Sequence, residues 1–309
     1  MSTLASFCTI LITSNKFSKG GFPDVFVATL AGSYNGDTIR NYVYGVRAWH
    51  ILHGVTWHRN KDELDTLLRA ALKLTPAVSQ RKPRRPWTVD FLTTIQPYLE
   101  VDKPLGAAVW ACAVVGFYSI ARVGELTVPT LQGFQTTLHV TRKQLRPETD
   151  RSGRSVWALR LPATKSSPSG ETLSFARQDG ATDPEAALAA HFRINDPGPD
   201  QALFAFWYTD RAMRRRQRVL TKDQFLKAIA AAAQNAGIDP LQGHGMRIGG
   251  TLEYLLRGTP FDVVKTMGRW KSDAFQLYLR KHAQILAPYL QRESAVHGTF
   301  VRYTMPPVR

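Results

Sequence analysis

The feature that most constrains the fold is an uncharged run from Leu105 to Ala121, LGAAVWACAVVGFYSIA. A membrane span needs about 20 predominantly apolar residues. This run has 17, is rich in Ala and Gly, and is followed at once by Arg122 and Glu125. It reads as a helix buried in a protein core, not as a span. A chain of 309 residues holds about two domains of ordinary size. The start, MSTLASFCTILITSNKF, has an apolar stretch but no basic residue before it and no small-x-small cleavage site, so a signal peptide is not expected. Cys8 and Cys112 are the two cysteines, which excludes a disulfide scaffold and a four-cysteine zinc site. A cytosolic or nuclear compartment is the default for such a chain.

Helical periodicity dominates the sequence. Residues 23–80 read as helices, and Gly36 to Gly54 sets Ile39, Tyr42, Val43, Val46 and Trp49 on one face, with Asp37 or Thr38 as N-cap. Glu63 to Leu74 repeats the pattern with Leu64, Leu67, Leu68, Ala71 and Leu74. The segment SQRKPRRP, Ser79 to Pro86, has no apolar side chain and two prolines that helix cannot cross, so it reads as a linker. Helix resumes over Thr88–Leu99 and the apolar run, and later over Pro184–Ile194, Thr221–Ala236, Gln242–Arg257, Pro260–Met267 and Ser272–Ala287. Strand signals are confined to Thr136–Thr141, Ser155–Leu161 and Thr172–Ala176, with a turn at 165–170, which predicts a small antiparallel sheet of three strands. No internal repeat or low-complexity tract is evident. The fold class is mainly α with a small antiparallel β-sheet (α+β): a helical N-terminal unit, a basic linker, and a larger helical domain interrupted by the sheet.

Lys and Arg total 40 against 24 acidic residues, a formal charge of +16. That excess is the footprint of a polyanion partner, nucleic acid or an acidic membrane surface. The basic residues are clustered. Arg81, Lys82, Arg84 and Arg85 sit in the linker, and Arg211, Arg214, Arg215, Arg216 and Arg218 form a dense patch between the sheet and the late helices. Neutralising about six phosphates gives a log–log salt slope near −5. Either cluster also fits a nuclear import signal.

Four separated patches carry chemistry. Arg122 leaves the core helix with Glu125 three residues on, close enough to orient it. His244 and Arg247 share a helix face. Gly268-Arg269-Trp270 ends a helix and Tyr278 follows Trp270 by eight residues, while Lys165 lies in the turn between the last two strands. Taken singly, each is as readily an ion pair, a core aromatic or a solvated charge. Taken in order, the motifs ARVGEL, LPATKS, HGMRIG, GRWKSDAF and YLR resemble the tyrosine recombinase (phage-integrase-like) family, nearest its fungal Crypton-type branch. GDTIRNYVYGVRAWH also looks like a helix of that family's core-binding domain, which would place Arg40 and Arg47 on DNA.

The resemblance implies a partial N-terminal core-binding (SAM-like) domain over 1–80, a linker over 81–86 and a catalytic DNA breaking–rejoining domain over 87–309, with the chain beginning inside the first of these. It implies site-specific recombination or integration for a mobile element, without metal or ATP. Tyr278 is then the nucleophile that forms a 3′-phosphotyrosyl bond, and Arg122 and Arg247 clamp the phosphate. His244 accepts or relays a proton, Lys165 protonates the leaving 5′-oxygen, Trp270 donates its indole N–H, and Glu125 orients Arg122. Tyr254, on the His244–Arg247 helix, is expected to be a core residue. The implied partners are double-stranded DNA and further copies of the chain, as dimer or tetramer, with no membrane, and the implied compartment is the nucleus. A non-catalytic DNA-binding descendant of such an enzyme is the alternative; a type IB topoisomerase shares the chemistry but fits this length less well.

Overall fold

A computed structural model describes residues 22–58, 60–80, 83–164, 167–272 and 284–285. The chain divides into two compact units, 1–83 and 84–309.

In the first unit, α1 (Phe22–Leu30), α2 (Gly36–Leu52) and α3 (Lys61–Lys73) enclose a small core of Val27, Ile39, Val43, Leu64, Leu68 and Ala71. These are the positions that the 3.6-residue period selects. The N-cap of α2 is Asn35, whose side chain accepts from Asp37 N, and not Asp37 or Thr38. Those two residues instead fall in the first turn, where the acidic Asp37 faces the positive end of the helix dipole.

In the second unit, α4 (Val89–Ile95) and a 3₁₀ turn over Gln96–Leu99 lead to α5 (Pro104–Tyr118), the apolar run. Every residue of α5 from Gly106 to Tyr118 is buried. Around α5 pack α7 (Pro184–Asn195), α8 (Lys222–Asn235) and α9 (His244–Leu256). Among the described residues no helix is long and apolar enough to cross a membrane. Two glycines seat α9. A Cβ on Gly250 would lie 2.0 Å from the Phe117 carbonyl oxygen, and one on Gly249 would lie 2.1 Å from that of Trp87. The backbone of α9 therefore lies directly against the end of α5 and the segment entering α4. Short helices α6 (Val123–Leu126) and α10 (Phe261–Met267) complete the surroundings.

The core helix ends three residues earlier than the apolar run. Ile120 is fully buried at φ +52°, a left-handed conformation unusual for a β-branched residue. The chain turns there and points Arg122 away from the core.

A three-stranded antiparallel sheet has the order β1 (Leu145–Thr149), β2 (Ser155–Leu161), β3 (Glu171–Phe175), with Leu145 opposite Leu159 and Trp157 opposite Phe175. The strand expected at Thr136–Thr141 is not formed. Thr141 instead caps a 3₁₀ turn over Arg142–Gln144 and makes one isolated bridge to Ala202. The true first strand, LRPET, contains Pro147, which an edge strand tolerates.

A second, two-stranded antiparallel sheet was not expected: β4 (Phe206–Thr209) and β5 (Arg215–Arg218). The basic patch is thus half strand. Arg215 stacks over Trp207 and Arg218 over Tyr208, each 4.7 Å from the ring centroid, which offsets the low strand propensity of RRQR.

Candidate active site

Arg122 is the N-cap of α6. Its backbone N–H donates to Glu125 Oε2 at 2.8 Å and its Nη1 to Glu125 Oε1 at 2.7 Å, so one carboxylate holds both ends of the residue. The Arg122 side chain remains 38% exposed, against 8% for Glu125. The second oxygen of Glu125 also accepts from Arg269 Nη2 at 2.8 Å. Burial pushes the Glu125 carboxyl up, but the charge and hydrogen bond of Arg269, with the donors of Arg122, more than offset this and hold it below the usual carboxylate range.

Arg269 has φ +57° and a side chain 9% exposed. Its Nη1 donates to Glu171 Oε2 at 3.2 Å, and that same oxygen accepts from Thr164 Oγ1 at 3.0 Å. Glu171 opens β3 and Thr164 lies just past β2. One arginine thereby ties the cap of α6 to the base of the β2–β3 turn. Arg269 stands in the Gly268-Arg269-Trp270 patch with no role assigned from sequence, and Glu171 stands in none. Arg269 carried a signal, a charge between Gly268 and Trp270 at the end of an amphipathic helix. Glu171 carried none, since its partners are set by tertiary structure.

Arg247 is 1% exposed, on the face of α9 that meets the end of α5. Nη1 donates to the carbonyl of the strained Ile120 at 2.7 Å, and Nη2 donates to the Gly268 carbonyl. The guanidinium carbon lies 4.2 Å from the Trp270 ring centroid. Gly268 makes room for that ring: a Cβ there would overlap it at 1.6 Å. His244 begins α9 and is partly buried. Burial, then the charges of Arg84, Arg247 and Arg122, hold its imidazole pKa below the ordinary value.

The structure therefore brings Arg122, Glu125, His244, Arg247 and Trp270 into one neighbourhood, joined by Arg84 from the linker and by Arg269. The positive charges that disfavour the imidazolium form of His244 favour an anion in their midst. Lys165 and Tyr278 lie outside the described residues, as do Arg81, Lys82 and most of the helix expected at Ser272–Ala287. Arg85 pairs with Asp239 at 2.9 Å on the surface. Arg214 and Arg216 share Asp210, each at 3.1 Å. Arg40 and Arg47 belong to the first unit; Arg40 lies 3.9 Å from Asp37, and Arg47 Nε is buried without a hydrogen-bond partner. Tyr254 donates its hydroxyl to the Tyr118 carbonyl at 2.9 Å, and burial pushes its pKa up to about 12. It is partly buried against the core and poorly suited to form a phenolate.

No protein-family model and no curated protein matches this sequence. Among solved structures, the chain is similar to the XerA recombinase at 13% identity, covering 99% of this chain and 98% of that one, with a TM-score of 0.39. It is similar to the XerH site-specific recombinase bound to palindromic difH substrate in a post-cleavage complex, at 11% identity, 86% and 68% coverage and a TM-score of 0.49. It is also similar to the FLP recombinase in a Holliday junction complex, at 13% identity, 81% and 59% coverage and a TM-score of 0.40. Likeness at this level transfers no residue roles.

Proposed function

We propose that this chain is a site-specific tyrosine recombinase that breaks and rejoins duplex DNA. The observation that carries the reading is the clustering of Arg122, Arg84 and Arg247 around His244, with Arg122 braced by Glu125. A scissile phosphate gains negative charge on its non-bridging oxygens in the transition state, and preorganised guanidiniums stabilise that charge without reorganising. The phosphate meets the more exposed Arg122 and His244. Arg247 contributes fixed charge from beneath, its orientation held by the Ile120 and Gly268 carbonyls and the Trp270 ring.

In the proposed step the Tyr278 hydroxyl oxygen bonds to phosphorus and the P–O5′ bond breaks. The phenol proton passes to a base, for which His244 is poised, and O5′ takes a proton from Lys165. The phosphotyrosyl bond keeps the phosphodiester energy, so rejoining runs by reversal with a partner 5′-hydroxyl. Segments 1–80 and 87–309 serve as core-binding and catalytic domains, with 81–86 as the linker. Arg40, Arg47, Arg81, Lys82, Arg84, Arg85, Arg214, Arg215, Arg216 and Arg218 contact the DNA backbone. We read the chain as the enzyme of a Crypton-type mobile element, acting in the nucleus as a dimer or tetramer on DNA.

The test uses nicked suicide duplexes, which trap the cleaved complex. The chain is expected to form a covalent protein–DNA adduct, and Arg122→Ala to form it at least about 100-fold more slowly, as loss of one preorganised charge donor does. An undiminished rate in Arg122→Ala would remove this cluster from the chemistry.

A further inference from the structure

The two hairpin tips of the second unit are built alike. The β1–β2 tip reads Asp150-Arg151-Ser152-Gly153-Arg154 and the β4–β5 tip Asp210-Arg211-Ala212-Met213-Arg214. In each, the aspartate Oδ1 accepts the backbone N–H of the third and fifth residues at 2.8–2.9 Å, and Oδ2 accepts from the Nε of the fifth. In each, the fourth residue takes positive φ: +77° at Gly153 and +56° at Met213. Glycine adopts that conformation freely, whereas a side chain there is strained. Met213 is also 83% exposed. A strained position thus carries a large apolar side chain in water, where the sister tip manages with glycine.

The surroundings of Met213 indicate its partner. From Asp210 to Arg218 there are five arginines and one carboxylate. Asp210 steadies Arg214 and Arg216, and the Trp207 and Tyr208 rings hold the planes of Arg215 and Arg218. Residues 209 and 211–216 are all exposed, so the outer part of the hairpin projects into solvent. Paired strands lie about 4.8 Å apart, and with side chains such a ribbon matches the major groove of B-DNA, about 12 Å wide, but not the minor groove, about 6 Å wide. Planar guanidiniums read guanine O6 and N7 there, and apolar side chains meet the thymine methyl.

We propose that the β4–β5 ribbon enters the major groove of duplex DNA tip first, with Arg211 and Met213 meeting base edges and the clamped arginines straddling the backbone. This deepens the recombinase reading, on which it rests for its partner, by giving the chain a sequence-reading element apart from the Arg122–His244–Arg247 cluster. A-form RNA is a poor fit, because its major groove is deep and narrow.

The test selects preferred sites for the full chain from a pool of short duplexes with randomised centres at physiological salt, then repeats the selection with Arg211→Ala and Met213→Gly. Met213→Gly restores the residue type of the sister tip, so it is expected to be at least as heat-stable as the parent. The parent is expected to enrich a defined site, Arg211→Ala to lose a guanine preference and Met213→Gly a thymine preference. Replacing that thymine by uracil removes one methyl. It should weaken the parent about fourfold, the value of one buried methyl group, and leave Met213→Gly unaffected. Enrichment of no sequence, or an unchanged preference in both variants on DNA that is still bound, would overturn the inference alone. Sensitivity to hypoxanthine in place of guanine, which removes only the minor-groove amino group, would overturn the groove assignment. Absence of duplex binding altogether would overturn the inference together with the DNA reading beneath it.

Discussion

Arg269→Met should be the most informative single change in the second unit. The arginine and its two carboxylate partners are nearly enclosed, with side-chain exposures of 9% for Arg269, 8% for Glu125 and 15% for Glu171. Removing one partner from a buried ion pair costs about 3–5 kcal/mol, because the other charge stays behind. Here Glu125 keeps Arg122 and Glu171 keeps Thr164, so the lower end applies, about 3 kcal/mol at neutral pH. For a unit of this size that lowers the melting temperature by roughly 6–12 °C. The pH dependence has a definite sign. In the parent, Glu125 is depressed, so its contribution is present above the unfolded carboxyl pKa and is lost as pH falls through the lower folded value. In the variant the chief depressing charge is gone, so the folded pKa of Glu125 rises from its value in the parent. The variant therefore loses less of the Glu125 contribution than the parent does as pH falls toward about 4. The deficit relative to the parent should shrink on acidification. Thermal unfolding at pH 7.5 and 4.5, followed by the fluorescence of Trp87, Trp110, Trp157, Trp207 and Trp270, measures it. A deficit below about 1 kcal/mol, the range of exposed ion pairs, or one constant with pH would refute the reasoning.

Gly249→Ala should destabilise by about 1–3 kcal/mol by overpacking, despite alanine's better helix propensity, because its Cβ meets the Trp87 carbonyl; urea denaturation measures it. His191 is fully buried, and burial pulls its pKa down to about 4, so the fold should lose about 3 kcal/mol as pH falls from about 6.5 to 4, a loss that denaturation of His191→Gln across that range should not show. Tyr254→Phe removes one hydrogen bond to Tyr118, so it should cost about 1 kcal/mol in denaturation and leave DNA cleavage unchanged. Lys165→Ala should slow strand cleavage by about 10²–10⁴, measured on suicide duplexes, while duplex affinity by fluorescence anisotropy stays near that of the parent.

The helices were legible because their signal is local. The apolar period of α2 and α3 and the unbroken run of α5 are properties of consecutive residues, and so is the alternation in β2. So is the strand over Thr172–Ala176, which forms as β3, whereas β1, β4 and β5 depend on distant partners. Pro147 argues against a strand until the edge position of β1 is known, and RRQR reads as solvated charge until Trp207 and Tyr208 are seen to stack on it. The candidate site divides in the same way. Arg122 with Glu125, and His244 with Arg247, are pairs at helical spacing and stand out in the sequence. The brace through Arg269 and Glu171 joins residues 98 apart, and the strained carbonyl of Ile120 receives Arg247 from 127 residues away. Sequence spacing encodes neither contact.

The measurement that bears most directly on the account is peptide mass spectrometry of the covalent adduct formed on a nicked suicide duplex. The account predicts a phosphotyrosyl linkage at Tyr278, lost in Tyr278→Phe while duplex affinity persists, because that change removes one oxygen and almost no volume. An adduct at Tyr254 or Tyr289, one that survives Tyr278→Phe, or none from the intact chain would contradict it.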